Sequence, residues 1–225
     1  MKSAAALVAL LVFAAPSDEI TYTAHSVNVA EPGTPVKIRI LRWSSEDEMR
    51  PIITALAAPP AQPSEVARAN AAAAGRGRAG AAGRGRGRGA PAAPLSPIQA
   101  FTASLGRVPT VGYVWTNDIT GYSIKYAWHA ALPDGTERIV LVSDRRLGDG
   151  ETKWKQTPAA ADTDYTFTLI ELRAGPKGLM EGKTSLANKI VVDKDANTVA
   201  LDNYPAAVAS LAPTSAAGRS ARPSR

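Results

Sequence analysis

Apolar residues along this chain recur chiefly at a spacing of two, the period of a strand whose successive side chains face opposite sides. The run at 164–173 shows it most densely. Tyr165, Phe167 and Leu169 fall on one face, and Ile170 and Leu172 fall on the other. Threonines, aromatics and branched aliphatics of this kind suit a pleated, half-buried surface. A strand apolar on both faces belongs inside a sheet system, so the other apolar runs are expected to pack beside it.

Residues 20–29 read as a first strand and 36–43 as a second, with Glu31-Pro32-Gly33-Thr34-Pro35 as turn sequence between them. Val36, Ile38 and Ile40 alternate with Lys37 and Arg39, which gives the second strand one wet face. The period then changes. Ser45 with Glu48 has the form of a capping box, and Met49, Ile52, Ile53 and Leu56 keep helical spacing. Pro51 lacks a backbone donor, so a kink or a start nearer Pro51 is expected. Ser96, Pro97 and Gln99 supply cap, first position and capping partner for a second helix, which Gly106 can close. Ile98, Phe101 and Leu105 share one side of it.

Strand periodicity resumes with Val111, Tyr113 and Trp115. Tyr122, Ile124, Tyr126 and Trp128 then alternate with Ser123, Lys125, Ala127 and His129, which predicts the four apolar residues on one face. Pro133-Asp134-Gly135 turns the chain into a strand at 139–142. Residues 144–158 are polar and read as irregular, and Trp154, between Lys153 and Lys155, is expected to be exposed. After the run at 164–173, Gly175-Pro176-Lys177-Gly178 is a turn. Residues 186–192 and 198–201 follow as strands around Asp193-Lys194-Asp195-Ala196-Asn197. About eight strands joined mostly by short turns predict a mainly β fold, an antiparallel sandwich with a closed β-barrel as the alternative.

Composition changes this picture at three places. Lys2 and the apolar run 4–15 match a signal peptide, so export with a mature start at Asp18 is expected and 1–17 is set apart. That run is too short to span a bilayer, so no transmembrane anchor is expected. Between 59 and 94 the chain turns to Ala, Gly, Pro and Arg, with too little apolar area to offset the entropy of ordering glycine, and it is expected to be disordered. The tail at 212–225 is likewise patternless. One β-rich domain, 18–211, remains around the excursion.

The net charge of +6 does not describe that domain. Arg68, Arg76, Arg78, Arg84, Arg86 and Arg88 with Glu65 carry +5, the tail arginines Arg219, Arg222 and Arg225 carry +3, and Lys2 carries +1; without them the body stands at −3. The chain has no cysteine, which excludes thiolate chemistry, Cys-ligated zinc and iron–sulfur clusters, and leaves an exported domain to rest on its hydrophobic core.

With Arg42-Trp43-Ser44, Val111-Gly112-Tyr113-Val114, the run 132–141 from Leu132-Pro133-Asp134-Gly135 to Leu141, and the run 165–172 in view, the chain resembles a family of uncharacterised secreted bacterial proteins. The resemblance covers roughly residues 20 to 203 on both sides of the excursion. It implies secretion and carries no established activity, so it assigns no functional residue.

Candidate chemistry is sparse. His25 and His129 are the two imidazoles, and acid–base or metal work would need them to converge with a carboxylate. Carboxylate pairs such as Asp162 and Asp164 read more simply as turn residues. Asp193, Asp195 and Asn197 mimic the start of a calcium loop, but Thr198 and Tyr204 stand where glycine and glutamate belong, so a hairpin turn is the expectation. Asp144, Asp149 and Glu151 have no diagnostic spacing. No catalytic residue, metal site or cofactor is therefore assigned. The aromatic series Tyr113, Trp115, Tyr122, Tyr126 and Trp128 could stack sugars, peptides or other planar ligands, with core packing as the competing account. The arginines Arg76, Arg78, Arg84, Arg86 and Arg88 could bind polyanions, while the absence of interleaved Phe or Tyr argues against specific nucleic-acid binding. These residues together predict an exported, non-enzymatic β-domain that binds an envelope or extracellular ligand or protein. The alternative is a hydrolase whose carboxylates or His129 meet only in the fold.

Overall fold

Val36, Ile38 and Ile40 are buried and Lys37 and Arg39 exposed, so the alternation of the second strand sets an inside and an outside. The computed structural model describes residues 19–59, 95–116, 121–149, 152–155, 157 and 163–214. Residues 1–17, expected to be a signal peptide, the arginines from Arg76 to Arg88 and the residues past 214 lie outside them, as do Glu151 and Asp162.

Eight strands close into an antiparallel barrel: β1 (Ile20–Ser26), β2 (Pro35–Ile40), β3 (Gly112–Trp115), β4 (Gly121–Ala131), β5 (Glu137–Ser143), β6 (Leu169–Gly175), β7 (Gly178–Thr184) and β10 (Ala209–Pro213). Around the barrel the order is β1-β10-β7-β6-β5-β4-β3-β2, and β8 (Ile190–Asp193) with β9 (Thr198–Leu201) forms a separate hairpin. Of the two arrangements the periodicity allowed, the sheet takes the closed one. Closure runs through β10, where Ala24, His25 and Ser26 of β1 pair with Pro213, Ala212 and Leu211. The barrel interior holds one of the two apolar cores. Ile38, Ile40, Ile124, Ile139, Leu141 and Leu172 fill it, as side chains do in an eight-stranded barrel.

A second core lies outside the barrel, over β4, β5 and β6. The helices α1 (Glu46–Ala57) and α2 (Pro97–Leu105) pack together there beside the β8–β9 hairpin. Ile52, Phe101 and Leu105 meet Tyr126, Val140, Val142 and Leu169 in this layer. Both helices start at capping boxes, Ser45 with Glu48 and Ser96 with Gln99. The first runs from Glu46 through Pro51 to Ala57, because the carbonyl that Pro51 leaves unbonded belongs to Asp47 on the exposed side of its first turn.

Four sequence expectations are revised by this architecture. The register of β4 against β5 shifts between Ile124 and Tyr126. One extra residue at a bulge turns every following side chain to the other face. Tyr122 and Ile124 therefore face inward, whereas Tyr126 and Trp128 lie in or against the outer core. The central run becomes strand only from Leu169; Tyr165 and Phe167 precede it, stacked at 5.2 Å, with Phe167 against Phe101 at 4.8 Å. Strands β7 and β10 were not foreseen, since glycines and charges in one and small residues in the other blur the alternation. Trp154 is buried, not exposed. The connection after β5 folds back so that Trp154 and Leu147 cap the interior at one rim, held by Glu31 N–H on the Lys153 carbonyl and Ala30 N–H on that of Lys155. Gly148 makes this possible at φ +68, where a Cβ would stand 2.4 Å from that of Trp154.

Buried charge fixes the hairpin to the barrel. Glu171, fully buried on the outer side of β6, accepts from Arg138 Nε at 2.7 Å and from Leu201 N–H at 3.2 Å. Arg138 also donates to Asp193 Oδ2 at 2.7 Å, and Tyr126 Oη meets Thr198 Oγ1 at 2.5 Å.

Candidate ligand-binding face

The outer side of β1–β3 and of the first half of β4 carries no residue of the outer core. Cross-strand registry arranges it in rows. Thr23, Lys37, Trp115 and Gly121 are successive partners across β1, β2, β3 and β4, and Thr21, Arg39, Tyr113 and Ser123 form the next row. Outward projection of these residues follows from the inward burial of Tyr22, Ala24, Ile38 and Val114 between them.

Tyr113 and Trp115 sit two residues apart on one strand, ring centroids 5.6 Å apart at an interplanar angle of 39°. Both are half-buried. The Trp115 indole lies over Gly121, where an added Cβ would come within 2.9 Å of Nε1. Glycine at that cross-strand position thus lets the ring rest on the sheet. Lys37 Nζ stands 6.0 Å from the indole centroid, a cation over a π face. Arg39 is held by Glu19 through paired contacts of 2.6 and 2.7 Å. The face combines flat apolar area with cationic groups that solvent reaches.

The sequence placed five aromatics together as a candidate surface, and the fold divides them. Tyr113 and Trp115 share the open face. Tyr122 points into the barrel and its hydroxyl accepts from Gly148 N–H at 3.1 Å. Tyr126 is fully buried, and burial pushes its hydroxyl pKa up. Trp128 packs against the outer core with the Arg138 guanidinium 5.7 Å from its ring. Tyr122 pairs with inward-facing Val114, and the bulge after Ile124 turns Tyr126 and Trp128 to the outer core. Lys37, Arg39 and Gly121 complete the face and were not singled out from sequence; the wet alternation of β2 was the signal that located two of them.

His129 occupies a different place. The same bulge turns it toward the barrel mouth, where Nδ1 lies 2.6 Å from Glu137 Oε1 and Trp43 stacks on the imidazole at 4.0 Å. A recess of about 490 Å³ opens there, with Tyr22 and Glu137 in its wall and Glu137 as its one described carboxylate. His25 lies near the opposite rim, across from Pro35, so the two histidines do not converge. Asp193 is committed to Arg138 and to Ala196 N–H, which draws its carboxyl pKa below the ordinary value chiefly through the guanidinium. Asn197, at φ +46, turns the hairpin there. Among the described residues no group of three or more His, Asp or Glu is placed to hold a metal ion, and no helix is long and apolar enough to cross a membrane. Comparison with protein families, with curated proteins and with solved structures finds no match.

Proposed function

We propose that this chain is an exported, non-enzymatic binding domain whose outer face on β1–β4 holds an extracellular or envelope ligand through Tyr113 and Trp115. The carrying observation is the pair of half-buried rings, one resting on Gly121, on the stretch of wall that carries no residue of the outer core. Aromatic rings placed flat on a sheet offer the apolar faces of pyranose rings a large contact at little entropic cost, since few side-chain torsions need ordering. A saccharide is the ligand class this surface suits best. The hydrolase alternative is weaker. It asks for a second acid, base or nucleophile beside His129, and the mouth recess supplies Glu137 alone among its described carboxylates.

Affinity electrophoresis through gels containing envelope or extracellular polysaccharides tests the reading. Retardation of the wild type by at least one polymer is expected, with at least a tenfold loss of affinity in Tyr113→Ala/Trp115→Ala. Met180→Ala, at an exposed apolar residue outside the face, should migrate as wild type. Retardation unchanged by the double substitution moves the site elsewhere.

A further inference from the structure

Where the row Thr23–Lys37–Trp115 reaches the rim, a groove of about 880 Å³ runs from the outer face toward the turn at Thr152–Trp154. Thr23 and Thr116 are among its lining residues, and their Oγ1 atoms are buried with no hydrogen-bond partner. Thr116 is 2% exposed. An unsatisfied buried hydroxyl costs on the order of 1–3 kcal/mol, so such groups are rare without a role. Two ammonium groups accompany them. Lys37 is exposed beside the indole, and Lys153 Nζ stands 4.0 Å from Glu31 Oε2, at the outer limit of an ion pair, with both side chains at least half exposed. No carboxylate is among the described residues that line the groove.

Charge and donor count single out the guest. An ammonium group only donates hydrogen bonds, and an unpartnered hydroxyl can donate one more. A carboxylate or sulfate ester only accepts. A cationic guest would meet two like charges. A neutral hydroxyl-bearing guest would gain less, because hydrogen bonds to an ionised partner are roughly twice as strong.

We infer that this groove binds the anionic substituent, carboxylate or sulfate ester, of an acidic saccharide whose ring stacks on Trp115. The inference rests on the reading of the β1–β4 face as a saccharide platform and specifies its ligand class. Lys37 and Lys153 neutralise the anion, Thr23 and Thr116 complete its hydrogen bonds, and the indole fixes the ring beside it.

Calorimetric titration of the full chain tests this, with Arg76, Arg78, Arg84, Arg86 and Arg88 replaced by glutamine to remove a competing polyanion attraction. The probes are tetragalacturonate, a heparin-derived tetrasaccharide and cellotetraose. At least one acidic probe is expected to bind tenfold or more tighter than cellotetraose, and its affinity should fall as salt is raised. Lys37→Gln/Lys153→Gln should lower acidic binding at least tenfold more than it lowers cellotetraose binding. Thr116→Val, checked for an unchanged circular dichroism spectrum, should lower acidic binding by a smaller factor. Equal affinity for acidic and neutral probes, lost in Trp115→Ala, overturns the anionic groove and leaves the platform standing. Acidic binding that survives Trp115→Ala and vanishes in the lysine variant overturns the platform and leaves the groove. No binding of any probe, or acidic binding indifferent to both lysines, overturns the inference.

Discussion

Single residues in this protein act through what they lie against. Glu48 is the clearest case. It accepts Arg42 at 2.8 Å on each oxygen and Ser45 N–H at 2.9 Å, so it joins the end of the first barrel hairpin region to the start of α1. The Arg42 guanidinium, ahead of the capping contact, draws its carboxyl pKa from near 4.5 down to about 2. A carboxyl depressed by folding contributes stability above its unfolded pKa, and that contribution is lost as pH falls through the folded value. After allowance for solvent screening it should amount to about 1 kcal/mol. Wild type and Glu48→Gln compared by chemical denaturation should differ by that amount at pH 6, and the difference should shrink steadily between pH 4.5 and 2. A constant difference across that window would place the effect of Glu48 in packing instead of ionisation.

At the scale of elements, the β8–β9 hairpin is held to the barrel by charge as well as by apolar contact. Glu171 is fully buried under Arg138, whose side chain is 13% exposed, while Asp193 at the edge of the same cluster is 25% exposed. Removing one partner of a buried pair leaves an uncompensated charge, typically costing 3–5 kcal/mol, whereas a pair open to solvent contributes about 1 kcal/mol or less. Glu171→Ala should therefore lose about 3 kcal/mol in urea unfolding, Arg138 retaining Asp193, and Asp193→Asn should lose no more than about 1 kcal/mol. Equal losses for the two would mean that the cluster is solvated and the hairpin rests on its apolar contacts through Ile190, Val199 and Leu201 and on the Tyr126–Thr198 hydrogen bond. The β4 bulge works at this scale too. By moving Tyr126 and Trp128 outward it supplies the aromatic floor of the second core, and by moving His129 inward it furnishes the mouth.

For the whole molecule, two apolar cores share one sheet, the barrel interior and the layer under the helices. Each core is continuous through its own residues, and α1 and α2 pack together on either side of 60–94. Joining their ends by a shorter connection alters closure entropy only weakly. Deletion of residues 61–91 is expected to change unfolding free energy by less than about 2 kcal/mol, the scale of one buried large side chain. A larger loss, read from urea midpoints at unchanged slope, would show that the deleted residues pack on the body.

Local chemistry was enough to place much of this structure. The alternation of Val36, Ile38 and Ile40, the capping boxes at Ser45 and Ser96, and the turns at Asp134-Gly135 and Asp193–Asn197 all appear where side-chain period and backbone preference put them. Each depends on neighbours a few residues away. The charge of the body follows from composition alone, since charge is additive along a chain. What only the tertiary structure decided depends on residues distant in sequence. Closure through β10 requires β1 nearly two hundred residues earlier. The bulge at Lys125 is invisible in a sequence whose alternation continues unbroken, because a bulge adds a residue to one strand relative to its partner and so exists only in the pairing. Tyr113 and Trp115 were identified as aromatic from the sequence. Their open position, with Gly121 under one ring and Lys37 over it, was fixed by registry across three strands, which no local pattern contains.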